Sequence, residues 1–281
     1  MTIVKAQERF VTANNLRLRY VEWGTVGKTP LVCLHGQSGH AHVWDEFAEA
    51  MSPYYHIYAL DQRGRGGSQW ATDGYERDRF VEDLAGFLDA LSLRKVILVG
   101  ASMGGWNSLL YTPSHQDRVE RIILVDIGPE RDAAPTQQQS SQSRTPQPLE
   151  FENFQDAVTW SRQSNPRPTD ARIRKDASDK LRQREDGKWV WKADPAIPPL
   201  SDANDPELIA RYWRSLEAIT CPILEVRGGE SAMVSDRILE RMKRVNPRIS
   251  AVVVEGAAHL VTVDRPQGFI AATRAFLGVP G

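Results

Sequence analysis

The sequence predicts an α/β protein: a mostly parallel central sheet flanked by helices, with an inserted helical cap. Three observations predict it. Short aliphatic runs alternate with amphipathic stretches of helical period, the pattern of a sheet covered on both faces. The pentapeptide Gly100-Ala101-Ser102-Met103-Gly104 stands directly between one such run, 96–99, and a helix-like stretch, 105–111. The alternation stops after residue 129 and resumes at 223, so a second body interrupts the sheet.

Residues 10–13 and 16–23 read as two strands around Asn14-Asn15, a turn-favouring pair. Residues 31–34 form a short aliphatic strand that ends at His35-Gly36, and 43–51 are amphipathic at a helical period. A strand at 56–60 runs into Asp61-Gln62-Arg63-Gly64-Arg65-Gly66-Gly67. Residues 77–91 place Phe80, Val81, Leu84, Phe87, Leu88 and Leu91 at helical spacing. Strands at 95–99 and 121–126 bracket the serine motif and its helix.

The interruption opens with a glutamine- and serine-rich stretch, 133–143, too polar to bury a core, which predicts a mobile loop. Helical pieces are expected at 151–163, 169–182 and 206–216. Their large aromatics, Trp160, Trp189, Trp191, Tyr212 and Trp213, are available for packing or for lining a pocket. Strands at 223–226 and 251–254 and a helix at 266–277 complete the sheet. The expected division is a core made of 1–129 and 217–281, with a helical cap at 130–216. A cap over the serine would exclude water and shape specificity.

The 281 residues carry a formal net charge of −1, which gives no reason to expect nucleic acid or an anionic membrane as a partner. No apolar run reaches the roughly 18 residues of a membrane-spanning helix. The first ten residues lack the apolar core of a signal peptide. Cys33 and Cys221, the two cysteines, lie in apolar strand-like segments and read as reduced, buried thiols, which points to the cytoplasm.

A strand, then G-x-S-x-G, then a helix describes a sharp turn that lifts a serine hydroxyl clear of the sheet edge, with the helix N-terminus beneath it. Ser102 is therefore the candidate nucleophile. A serine needs a base at neutral pH. Among six histidines, His259 follows the strand 251–254 through Glu255-Gly256-Ala257-Ala258, which places it at the same sheet edge. The loop Leu34-His35-Gly36-Gln37-Ser38-Gly39 can fold back so that the Gln37 amide, with that of Met103, faces a developing oxyanion. His40 and His42 have no cysteine or carboxylate at metal-site spacing, so no metal is expected. The run Gly64-Arg65-Gly66-Gly67 lacks the third glycine and acidic partner of a dinucleotide site; Asp61 and Arg63 read as braces for the neighbouring loop. No cofactor is expected.

Together, His35-Gly36, the Asp61–Gly66 strand end, the Ser102 turn and the Gly256-x-x-His259 loop resemble the α/β-hydrolase superfamily over nearly the whole chain, least at 133–200. With serine as nucleophile, the resemblance implies an esterase-type member. Most such enzymes carry the triad acid in a Gly-x-x-Asp loop after the strand matching 223–226. Here that loop reads Arg227-Gly228-Gly229-Glu230-Ser231, with serine at the aspartate position. Some members place the acid one strand earlier, where Asp126 stands. Asp126 is the first choice, and Glu230 and Asp236 remain alternatives.

The resulting expectation is a serine hydrolase of a small or medium carboxylic ester or lactone. Its partner is that small molecule, and its state a monomer or homodimer. One rival is a C–C bond hydrolase of diketones or ring-cleavage products, whose pocket would bind a carboxylate through arginines such as Arg172 and Arg211. The other is a low-turnover ligand-binding protein on the same fold.

Overall fold

The computed structural model describes residues 6–131, 147–198 and 205–280. The stretch 133–143, expected to be a mobile loop, lies outside the described residues. The chain opens with a hairpin, β1 (Gln7–Ala13) and β2 (Leu16–Trp23), turning on Asn14 and Asn15 at φ 51° and 59°. Asparagine tolerates that left-handed region better than most side chains. Then follow β3 (Pro30–Leu34), α1 (Asp45–Met51), β4 (His56–Leu60), α2 (Arg77–Ala90), β5 (Val96–Ala101), α3 (Met103–Tyr111) and β6 (Val119–Val125). The inserted segment supplies β7 (Glu150–Phe151), α4 (Phe154–Ser164), α5 (Asp170–Lys180), β8 (Leu181–Gln183) and β9 (Trp189–Trp191). The chain closes with α6 (Pro206–Ala218), β10 (Ile223–Gly228), α7 (Asp236–Val245), β11 (Ile249–Val254), α8 (Val261–Asp264) and α9 (Pro266–Leu277).

Eight strands form one sheet in the order β1-β2-β4-β3-β5-β6-β10-β11. Only the β1–β2 and β2–β4 pairs are antiparallel; the other five are parallel. The aliphatic strands are buried on both faces because side chains alternate across the sheet. Val96 and Leu98 meet Leu84, Phe87 and Leu109 of α2 and α3 on one side. Ile97 and Val99 meet Phe47, Met51 and Phe269 of α1 and α9 on the other. The parallel register carries Gly100 opposite Leu34 and Leu124, and Val125 opposite both Ala101 and Val226. The ends of β3, β5, β6 and β10 therefore stop at one level, where the candidate residues gather.

Two features of the interruption differ from expectation. Its body is mixed rather than all helical: β7, β9 and β8 form an antiparallel sheet, with Gly187 at φ 88° closing the β8–β9 turn. The Asp186-Gly187 pair before Trp189-Val190-Trp191 was a readable hairpin signal. The last helix, α6, does not pack with that body. Tyr212 stacks on Trp106 of α3 at 5.7 Å, and Trp213 and Leu216 join the main core. The expected boundary at 216 falls inside this helix. Trp160, Trp189 and Trp191 instead pack a small separate core around Phe151, Ala157, Ala177 and Leu181. Packing thus accounts for all five aromatics.

Candidate active site

β5 delivers Ser102 to the carboxyl edge of the sheet, and α3 begins at the next residue. Ser102 has φ 49° and ψ −118°, a combination that costs an L residue energy and persists only where its surroundings enforce it. Its amide donates to Val125 O of β6 at 3.3 Å; its carbonyl accepts from Gly105 N at 2.9 Å and Trp106 N at 3.1 Å. The flanking glycines are steric requirements. A Cβ on Gly100 would stand 2.5 Å from the Gly104 backbone, and a Cβ on Gly104 only 2.2 Å from Leu34 O. The helix therefore lies directly against the strands beneath the serine.

Asp126 follows the valine that holds Ser102. It is 0% exposed and also has positive φ, 54°. Three donors surround its carboxylate. His259 Nδ1 donates to Oδ2 at 2.8 Å, Ser231 Oγ donates to Oδ2 at 2.5 Å, and Gly228 N donates to Oδ1 at 3.1 Å. The Asp126 carboxylate, accepting from Nδ1, orients that nitrogen as the donor of the His259 ring. Nε2 is then left without a proton, as a base requires. The imidazole is 31% exposed, and its loop is anchored by Asp264 Oδ2, which accepts from Ala258 N at 2.9 Å. Among the described residues no hydrogen bond joins Ser102 Oγ to His259 in this conformation; such contacts commonly close when substrate binds.

The other two acid candidates point elsewhere. Glu230 pairs with Arg167 of the inserted segment at 2.8 Å, and Asp236 pairs with Arg227 at the start of α7. Ser231, at the position where an aspartate was expected, serves Asp126 as a donor. Sequence reasoning missed a further acid. Glu225, on β10, is 0% exposed and accepts from Ile127 N at 3.1 Å, while its Oε2 has no hydrogen-bond partner among the described residues. Burial, reinforced by the Asp126 charge, pushes its carboxyl well above the usual carboxylate range, so it sits there protonated. Nothing in the sequence marks it except a carboxylate within the run Ile223-Leu224-Glu225-Val226.

The Gly36–Gln37 loop lies against the serine: a Cβ on Gly36 would stand 3.1 Å from Ser102 Cβ. Met103, at the first position of α3, has an amide with no intrahelical acceptor. Arg65 fixes Gln37 twice, donating from Nε to its backbone oxygen and from Nη2 to Oε1, each at 2.7 Å. His35 braces the same loop. Its Nε2 accepts from Gln62 N at 3.0 Å and its Nδ1 donates to Gly36 O at 2.7 Å. Burial pushes it down to about 3, so it is neutral. Asp61 and Arg63 act as braces too. Asp61 accepts from Ala41 N, Gly67 N and Arg19, and Arg63 forks onto Asp83 at 2.7 and 2.9 Å.

His40 and His42 are paired separately, with Asp176 at 3.0 Å and Asp45 at 2.9 Å. Among the described residues no group of three or more His, Cys, Asp or Glu is arranged to hold a metal. Cys33 and Cys221 are free thiols, and no described helix is long and apolar enough to cross a membrane. Arg172 and Arg211, which the alternative C–C hydrolase reading would use to bind a carboxylate, are already engaged. Arg172 bonds Glu46 at 3.1 Å and Arg211 bonds Asp78 at 2.5 Å, both at contacts that dock outer helices. The arginines near the site are Arg65 and Arg77. They line a cavity of about 520 Å³ together with Gln37, Tyr75, Met103 and Ile197.

The profile of the alpha/beta hydrolase fold family matches residues 29–266. The chain is 29% identical over 275 residues to a 3-hydroxybutyrate-oligomer hydrolase of Cupriavidus necator, covering 93% of each protein. It is 30% identical over 264 residues to an esterase of Mycobacterium tuberculosis, covering 92% of this chain and 85% of that one. The crystal structure of an E-2-(acetamidomethylene)succinate hydrolase superposes with a TM-score of 0.80 at 25% identity, covering 98% of this chain and all of the other.

Proposed function

We propose that this chain, which belongs to the α/β-hydrolase family, is a serine hydrolase that cleaves a small to medium carboxylic ester or lactone through an acyl-enzyme. The observation that carries the reading is the hydrogen bond from His259 Nδ1 to Asp126, beside a serine held at positive φ. In this mechanism Ser102 Oγ attacks the carbonyl carbon while His259 Nε2 takes the hydroxyl proton. Asp126 keeps the imidazole in the required tautomer and stabilises the imidazolium. The amides of Gln37 and Met103 hold the oxyanion. Collapse of the tetrahedral species breaks the bond to the alcohol oxygen, which leaves with the proton from His259. Water then attacks the acyl-enzyme with His259 again as base, releasing the acid and restoring Ser102.

The named activities of the relatives, an oligomer hydrolase and an esterase, support ester chemistry. Within the inserted segment, residues 196–198 reach the cavity beside Gln37, and we propose that this segment caps the site. The test is labelling by a fluorophosphonate with turnover of 4-nitrophenyl acetate. Wild type should gain one adduct on Ser102, and Ser102→Ala should lose both the adduct and at least about 10⁴-fold in kcat. An adduct on another residue, or full turnover by the variant, overturns the reading.

A further inference from the structure

We propose that Arg65 is a positioning residue for the oxyanion: it clamps Gln37, whose amide is assigned to the oxyanion, between the serine turn and residues 192–198 of the inserted segment. This rests on the hydrolase reading above and adds a residue to its machinery.

The direction of the Gln37 N–H is set by the peptide that joins it to Gly36, because a trans peptide is planar and its N–H and C=O point opposite ways. The Gly36 oxygen accepts from His35 Nδ1 at 2.7 Å and from Gly39 N at 3.0 Å. Those bonds hold the N-terminal side of Gln37. They do not fix its own carbonyl or its side chain, and a turn of either moves the amide through the shared Cα. Arg65 holds both. Its Nε donates to Gln37 O and its Nη2 to Gln37 Oε1, each at 2.7 Å, while Nη1 donates to Arg63 O at 2.9 Å. One bond leaves each nitrogen, so the planar guanidinium spans three points as a rigid template. Arg65 is only 1% exposed, so packing holds its long stem. Burial brings it down to about 10, which leaves it cationic at neutral pH and its hydrogen bonds charge-assisted.

The other end of the Gln37 side chain meets the inserted segment, where Nε2 donates to Pro198 O at 2.9 Å. The two ends are not interchangeable, since a guanidinium only donates and a carbonyl only accepts. The stretch that ends at Pro198 is fastened to the loop that bears Arg65. Trp70 Nε1 donates to Lys192 O at 2.9 Å, Asp194 N to Gly64 O at 2.8 Å, and Tyr75 OH to Asp194 Oδ2 at 2.5 Å. Gln37 thus stands where core loop and inserted segment meet, and its backbone lies next to the serine: a Cβ on Gly36 would stand 3.1 Å from Ser102 Cβ. An oxyanion donor works only within about 2.7–3.1 Å of the oxygen it stabilises, so a small displacement of Gln37 weakens the transition state more than the bound substrate.

The test measures turnover of 4-nitrophenyl acetate together with inhibition by phenylboronic acid, whose tetrahedral serine adduct puts an oxygen in the oxyanion position. Arg65→Gln is expected to lower kcat about 10²-fold with KM within about threefold, and to raise the boronate Ki at least about tenfold. Arg65→Lys keeps the charge but not the fork, and should recover no more than about tenfold of the loss. Gln37→Leu keeps the backbone amide and removes both side-chain links; its kcat should fall about tenfold. The double variant Arg65→Gln/Gln37→Leu should lie within about threefold of Arg65→Gln alone, because both changes open one clamp. A kcat and boronate Ki near wild type in Arg65→Gln, full activity in Arg65→Lys, or losses that multiply in the double variant overturn the proposal. If Arg65→Gln does not fold, Gln37→Leu decides by the same two readouts. Wild type that shows neither turnover nor a fluorophosphonate adduct overturns the hydrolase reading and the clamp with it. Wild-type turnover that the Arg65 and Gln37 variants retain overturns the clamp alone.

Discussion

The ends of β6 and β10 lie side by side, and they divide between them what the resemblance to α/β-hydrolases places in a single loop after β10. The β6 end contributes the charge, Asp126. The β10 end contributes donors, Gly228 N and Ser231 Oγ, and sends its own acids outward to Arg167 and Arg227. The difference teaches that a carboxylate and its hydrogen-bond donors can exchange strands without moving the point that the histidine contacts. The β6 site requires positive φ at Asp126, so it draws on backbone strain that the β10 loop does not need.

The largest effect should come from removing the charge on one side only. Asp126→Asn is expected to lower kcat about 10⁴-fold, by analogy with removal of a triad aspartate, while Glu230→Gln stays within about twofold of wild type. Both are measured on one 4-nitrophenyl ester. The opposite ranking would transfer the acid to the β10 loop.

Moving the carboxylate across is the next test. Ser231 Oγ lies 2.5 Å from the Asp126 oxygen that His259 contacts, so an acid at 231 can reach nearly the same point. Asp126→Ser with Ser231→Asp should recover about 10²-fold in kcat over Asp126→Ser alone. Equal rates for the two proteins would mean that the strand end, and not only the charge position, is required.

Removing a donor should cost less. Ser231→Ala deletes one hydrogen bond to a buried carboxylate, and such bonds contribute about 1.5–3 kcal/mol. The expected loss in kcat is about tenfold. A rate equal to wild type would show that Gly228 N suffices.

The smallest effect concerns Glu225, which lies between the two strand ends. Its carboxyl is protonated in the fold, whereas in the unfolded chain it ionises above its ordinary value near 4.5. The native state then holds one proton more than the unfolded state, so this group makes stability fall as pH rises above that value. Glu225→Gln lacks this slope. Its Tm should gain on wild type by a few degrees between about pH 5 and 8. A Tm difference that stays constant over this range would show that Glu225 is ionised in the fold.

Much of the candidate site was legible as a set of positions. Ser102, its flanking glycines and the following helix are set by a dozen consecutive residues, and the structure gives the serine the strained φ that such a turn requires. His259 was legible from a strand followed by a small-residue turn. Asp126 was legible only as one of three acids, because its claim depends on which strand neighbours which. The engagement of Arg172 and Arg211 was hidden for the same reason: an arginine looks available until its partner on another element is known. Arg65 looked like part of a glycine-rich turn, and only the structure shows its hydrogen bonds going to Gln37 and to Arg63 O where Arg63 takes Asp83.

By itself, the sequence determined the β-α alternation, the turn that lifts Ser102, the asparagine hairpin and the position of the histidine loop. These follow from local φ/ψ preferences and from the period of apolar residues, which neighbours in the chain suffice to specify. The tertiary structure decided which acid meets His259, that Ser231 serves Asp126, that Glu225 is fully buried, and that Arg65 faces a cavity. Those contacts join residues from about 28 to 133 positions apart. They exist because parallel pairing sets Val125 opposite Val226 and Leu34 opposite Leu60. Such register is a property of the assembled sheet, since it depends on how every strand buries its two faces at once.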